Sequence, residues 1–196
     1  MILRGTEDRG QGPGIVHLTA RPGAAVVGEH FHPNMTERFT VFSGRLDASI
    51  AGETFSLGPG QSAMVEAGVV HDWWNSSKTE EAHVLIEIER APGADRIDPN
   101  RFELMIGMLF GLANAGRVDK RGRPFPLQAA VIVREFADVV VFTQPPPAIQ
   151  RVALGILAPL ANLLGYRAID PAFCRPHAHV TPAPEILALA GLPPSP

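Results

Sequence analysis

Cysteine is almost missing from this chain of 196 residues: Cys174 is the only one. A single thiol excludes an internal disulfide framework and a cysteine-rich zinc module. Cationic charge is short as well. Lys and Arg number 17 against 20 Asp and Glu, for a formal net charge of −3, so no basic excess marks a nucleic-acid-binding protein. Lysine is scarcer still, 2 residues against 15 arginines, a bias that reads as codon composition rather than function. No apolar run reaches the roughly 18 residues that span a bilayer. The segment Met1-Ile2-Leu3-Arg4-Gly5 carries no apolar core of a secretory signal, and the expectation is a cytoplasmic protein. What remains is ordinary globular material. Hydrophobic residues make up 45% and charged residues 19%, enough for a core and too apolar for disorder. The length suits one domain, or one domain with an appendage.

Glycine and proline divide the chain. Of 19 glycines, 12 lie at or before Gly93, and of 19 prolines, 13 lie at or after Pro124. Glycine-punctuated short segments read as β-structure, because tight hairpins need positive φ. Strands are expected at Gly14–Ala20, Arg38–Phe42, Leu46–Ile50 and Ala82–Glu89, separated by turns such as Arg21-Pro22-Gly23 and Ala51-Gly52-Glu53. The second half reads as helices. Asp98 is a candidate N-cap with Pro99 behind it, and an apolar segment runs from Phe102 to Ala115. A second helix is expected over Leu127–Phe142 and a third over Ile149–Leu164, the last kinked at Pro159. The expected organisation is a β-barrel over residues 1–96, a helical extension over 97–170 and a proline-rich, irregular tail over 171–196.

Three histidines and a glutamate carry the chemistry. His30 and His32 sit at i and i+2, so on a strand they point to one side. Glu37 follows near the start of the next strand, and His71 comes after the turn Glu66-Ala67-Gly68. Three imidazoles and one carboxylate suit a divalent transition metal, and neighbouring strands of an antiparallel barrel could gather all four.

The spacing His30-x-His32-x4-Glu37-x6-Gly44 resembles the first motif of the cupin superfamily, with Ala24 standing where that motif has its leading glycine. The spacing Gly60-x5-Glu66-x-Gly68-x2-His71-x3-Asn75 resembles the second motif, with Glu66 in place of the usual proline. The resemblance covers about residues 14–90. It implies a mainly β fold, a cupin-type antiparallel jelly-roll barrel, here followed by the helical C-terminal extension. It also implies His30, His32, Glu37 and His71 as ligands of one divalent transition metal, with Fe(II) preferred and Mn, Ni or Zn as alternatives. Many cupins are dimers, so a homodimer is expected too.

Around such a centre, Phe39, Val41, Met64, Trp73 and Asn75 are candidates for binding a substrate, with Trp74 facing out. Glu66 and His83 are candidate catalytic acid–base groups, each with a competing reading as a solvated or packed residue. His17 reads as structural, His177-Ala178-His179 as an incidental surface pair, and Cys174 as an unactivated thiol. The loop Asp119-Lys120-Arg121 with Arg123 reads as a solvated turn.

The helices are greasy enough that they must cover the barrel, each other or a partner. Packing against the barrel leads, homodimerisation follows, and peripheral membrane contact is the minor reading. The functional expectation is a metal-dependent enzyme acting on a small organic molecule, with dioxygen-dependent oxidation first. The alternatives are a metal-dependent isomerase, cyclase or lyase, and a non-catalytic small-molecule-binding protein.

Overall fold

A computed structural model describes residues 2–4, 13–25, 28–94, 100–174 and 183–193. Two five-stranded antiparallel sheets face each other. One runs β1 (Ile2–Arg4), β2 (Gly14–Ala20), β9 (Ala82–Arg90), β4 (Met35–Ser43), β7 (Ser62–Val65). The other runs β10 (Val141–Phe142), β3 (His30–Phe31), β8 (His71–Trp74), β5 (Leu46–Ile50), β6 (Glu53–Leu57). Non-consecutive strands lie side by side in both, the mark of a jelly roll.

Period-two burial drives the pairing. In β4, Met35, Glu37, Phe39 and Val41 turn inward while Thr36, Arg38 and Thr40 do not. In β9 the inward row is Ala82, Val84, Ile86 and Ile88. Leu85 faces the other way, where Ile15 of β2 and Ile186 of α5 (Pro184–Leu189) cover it. Gly44 closes the turn after β4 with φ +76, and a Cβ there would lie 2.3 Å from the Glu81 carbonyl oxygen. Only glycine satisfies both demands.

The helices are α1 (Asn100–Asn114), α2 (Pro126–Glu135) and α3 (Pro147–Leu163), followed by a short α4 (Pro171–Cys174). One continuous core joins them to the barrel: Phe102, Met105, Met108, Val131, Ile132 and Phe136 pack in the same cluster as Phe39, Trp73 and Ile86. The expected second helix does not run to Phe142. It stops at Glu135, residues 136–139 form a turn, and the chain extends only after Val140, at the β-branched Val141. There Val141 and Phe142 pair with Phe31 and His30, adding an edge strand to the second sheet. The tail, expected to be irregular, contains α4 and α5. Asp98, Pro99, His177 and His179 lie outside the described residues. On α3 the outer row Ile149, Val152, Ile156 and Leu163 is exposed, and only Ala158 and Ala161 are buried. Among the described residues no helix is long and apolar enough to cross a membrane.

Candidate metal centre

The inward rows bring four side chains to one point. Glu37 comes from β4 in the first sheet, while His30 and His71 face each other across the β3–β8 pair in the second. His32 follows β3 by one residue. All four are buried, and each offers a ligand atom within 4.8 Å of the others. His71 Nε2 lies 2.9 Å and His32 Nε2 3.4 Å from the same Glu37 oxygen, Oε2.

The opposite nitrogen of every ring is tied to the backbone. His30 Nδ1 donates to Gly28 O at 2.7 Å, His71 Nδ1 to Val69 O at 3.0 Å, and His32 Nδ1 to Val139 O at 2.6 Å. A carbonyl oxygen only accepts, so each Nδ1 carries a proton, and Nε2 is the nitrogen each ring turns toward the centre, where it would ligate a metal in place of donating to Glu37. Hydrogen bonds of this kind orient metal-ligating histidines and raise their basicity. Three aimed imidazoles and one carboxylate thus fit a single divalent transition metal.

Val139 belongs to the helical extension. Its backbone path is braced nearby: Arg101 of α1 donates to both Asp138 carboxylate oxygens, at 2.7 and 2.8 Å, and lies over the Phe136 ring. The His32 ring also meets the Phe102 ring edge-on, with centroids 6.1 Å apart.

Electrostatics follow from burial and proximity. Burial first, then His71 and His32, pushes His30 down to about 3, which keeps it neutral. Burial works to raise Glu37, but hydrogen bonds from His32 and His71 outweigh it and hold the carboxyl well below the usual range. Burial also works to lower His32, yet its hydrogen bond and charge contact with Glu37 leave it above its ordinary value.

A cavity of about 440 Å³ opens onto the cluster. His30, His32, Glu37, Trp73 and Ile86 form its barrel side. The rest comes from the extension: Phe102, Met105, Ile106 and Leu109 of α1, residues 123–126 of the loop before and into α2, Ala129, Ile132 and Val133 of α2, then Val140 and Phe142. Of the substrate-binding candidates, Trp73 lines this cavity. Phe39 is buried behind it, its ring centroid 6.2 Å from that of His71, and Val41 lies in the core. Met64, on edge strand β7, points outward and is 45% exposed. Asn75 is a strut: its side-chain nitrogen donates to the Ala20 and Glu80 carbonyls, and its oxygen accepts from Ser77 N–H.

The two acid–base candidates are not at the site. Glu66 is exposed in the turn after β7. His83 has the opposite parity to Val84 and Ile86, so it sits on the outer face of its sheet, 3.2 Å from His17 Nε2 and beside Thr19. The sequence reading missed the α1 and α2 walls and the Val139 carbonyl. Only the nearly all-round apolar character of Phe102–Ala115 hinted that this helix had two faces to bury.

Residues 16–88 match the family model of the cupin domain. This segment is a cupin domain. Its matched span ends before α1, so most of the cavity wall belongs to residues beyond the cupin domain. Solved structures similar to the chain include three bacterial proteins. One is a sugar phosphate isomerase of the cupin superfamily from Silicibacter pomeroyi (26% identity, 46% of this chain and 59% of that one, TM-score 0.39). Another is a conserved double-stranded β-helix protein from Klebsiella pneumoniae (27%, 47% and 70%, 0.38). The third is KdgF from Halomonas sp. (18%, 44% and 74%, 0.37). A search of curated proteins found no match.

Proposed function

We propose that the protein is a metal-dependent enzyme that oxidises a small organic molecule with dioxygen. One observation supports this over the alternatives. Among the described residues lining the cavity, the only charged or titratable side chains besides His30, His32 and Glu37 are Asp119 and Arg123. Those two are bound to each other, Arg123 Nη2 lying 2.8 Å from Asp119 Oδ2. An isomerase, cyclase or lyase that moves protons by a side chain needs an acid or base within reach of the substrate, and among the described residues the cavity provides, apart from the ligands themselves, only Asp119, already paired with Arg123.

When bound, a redox-capable divalent ion such as iron(II) supplies a Lewis-acidic centre whose remaining positions can take substrate and dioxygen. The chain's own groups do the rest. His30, His32 and His71 present Nε2 atoms fixed in direction by the hydrogen bonds of their Nδ1 atoms. Glu37 adds one negative charge and the imidazoles none, so this donor set would leave a divalent ion net positive and the site suited to an anionic or enolised oxygen of the substrate. Phe102, Met105 and Trp73 exclude water from the reacting end.

The test is elemental analysis of protein purified without added metal, followed by an oxygen-uptake screen of the iron-loaded form. The expected result is about one metal per chain and turnover that needs oxygen. Equal turnover under strict anaerobiosis replaces this reading with the isomerase, cyclase or lyase one.

A further inference from the structure

We infer that the cavity takes an amphiphile of roughly 15 non-hydrogen atoms in all, at ~30 Å³ each, with one oxyanionic end against the His/Glu cluster and an apolar body along the helical extension. The inference rests on reading the four-donor cluster as the polar end of the site, and it names the ligand class that reading leaves open.

Polarity along the cavity is graded. At the closed end stand the buried His30, His32 and Glu37. Beyond them the wall is hydrocarbon and aromatic: Phe102, Met105 and Leu109 on one side, Ile132 and Phe142 on the other. Phe125, 51% exposed, marks the outer end, where the lining passes into the loop that carries the Asp119–Arg123 pair. A ligand with hydroxyls along its length would leave them without partners against this wall, at a cost for each. A ligand with an apolar body gains from every methylene it buries. The head has the opposite requirement, because the polar region at the closed end of the cavity is the donor cluster, the other polar lining being the Asp119–Arg123 pair at the outer end, and a divalent ion held at the cluster would carry net positive charge.

The extension therefore selects the ligand, while the barrel supplies the end that all ligands share. This division explains why α1 is apolar nearly all round. One face joins the core through Met108 and Leu112, and another lines the cavity through Ile106 and Leu109. A cavity of about 440 Å³ falls in the range of ordinary small-molecule sites.

The experiment is binding of straight-chain carboxylates from butanoate to hexadecanoate to zinc-loaded protein, read by calorimetry and by the fluorescence of Trp73 and Trp74, with gluconate as the hydroxylated counterpart of hexanoate. Affinity is expected to tighten about fourfold per methylene until the cavity is full, and hexanoate is expected to bind at least tenfold tighter than gluconate. Phe125→Ser, at an exposed position that the fold tolerates, is expected to weaken decanoate several-fold more than butanoate. Ala129→Phe, which narrows the cavity from α2, is expected to shorten the best chain length. A flat series, or gluconate bound as tightly as hexanoate, overturns the inference. The same series on metal-free protein is expected to keep its slope per methylene while losing affinity for the head. Failure of the oxygenase reading leaves that slope intact, so the two failures are distinguishable.

Discussion

Replacing Glu37 by glutamine is the sharpest single perturbation of the centre. The change conserves volume and leaves an amide oxygen to accept from His71, so the barrel is expected to fold. It removes the only negative charge among the four donors, at a buried position where solvent cannot compensate. Losing a supporting hydrogen bond behind a ligand already costs 10–100-fold in metal affinity, so losing the charged ligand itself is expected to cost at least about 100-fold. Thermal melts convert this into a readable quantity. Metal at 100 times the wild-type Kd stabilises by about 2.7 kcal/mol. For a chain of this size that lifts Tm by about 5–11 °C. With Kd raised 100-fold the same metal concentration only equals Kd. The stabilisation then falls to about 0.4 kcal/mol, or ~1 °C in Tm. The assay is a paired melt of wild type and Glu37→Gln with and without zinc or iron(II), with Glu66→Gln as the control because Glu66 is exposed outside the cavity. A full metal-induced shift in Glu37→Gln would refute the assignment of this carboxylate.

The remaining predictions concern pH, a turn and the extension. Metal-free His30 titrates near 3 when folded against 6.5 as its reference. It therefore contributes stability fully above pH 6.5 and loses it as pH falls toward 3, at about 1.4 kcal/mol per unit. His30→Gln is expected to lose about 2 kcal/mol less than wild type between pH 6.5 and 5. Superimposable pH profiles from denaturant melts contradict this. Gly44→Ala places a Cβ against the Glu81 carbonyl at positive φ and is expected to cost at least about 2 kcal/mol. An unchanged urea midpoint is the opposing result. Truncation after Arg90 removes the cavity wall and the Val139 carbonyl together, and is expected to yield poorly soluble protein with weakened metal binding. A soluble, metal-loaded truncation with unchanged Tm would show that the barrel needs neither.

The barrel and its four donors were legible because their signals are local. The i, i+2 spacing of His30 and His32 and the alternation through Glu37, Phe39 and Val41 state which side chains share a face before any tertiary contact is known. Strand parity, applied to His83, also places it with Leu85 rather than with Val84 and Ile86, and so away from the cavity. The misses have long-range causes. Residues 136–142 look helical when read with the preceding α2, because nothing local reveals that β3 offers Val141 and Phe142 an unpaired edge. The cavity walls on α1 and α2 are apolar residues at helical spacing, the same pattern that ordinary core helices show. Asn75 sits at the expected motif position but spends its amide on three backbone groups, a task that spacing does not distinguish from ligand binding.

The hydrogen bond from His32 to Val139 spans 107 positions of chain and ends on a main-chain oxygen. Every amino acid carries that oxygen, so substitution at position 139 can alter the side chain without deleting the acceptor. What the centre demands there is a path of the backbone, not a residue type. The constraint leaves little trace in a column of aligned letters, and the barrel cannot be grafted onto another C-terminal segment by copying its four donors alone. A transplant that keeps all of them but routes the following chain a few ångströms away would leave one imidazole free to turn. Engineering this protein is therefore a problem of preserving a trajectory, with Arg101 and Asp138 as the clasp that holds it.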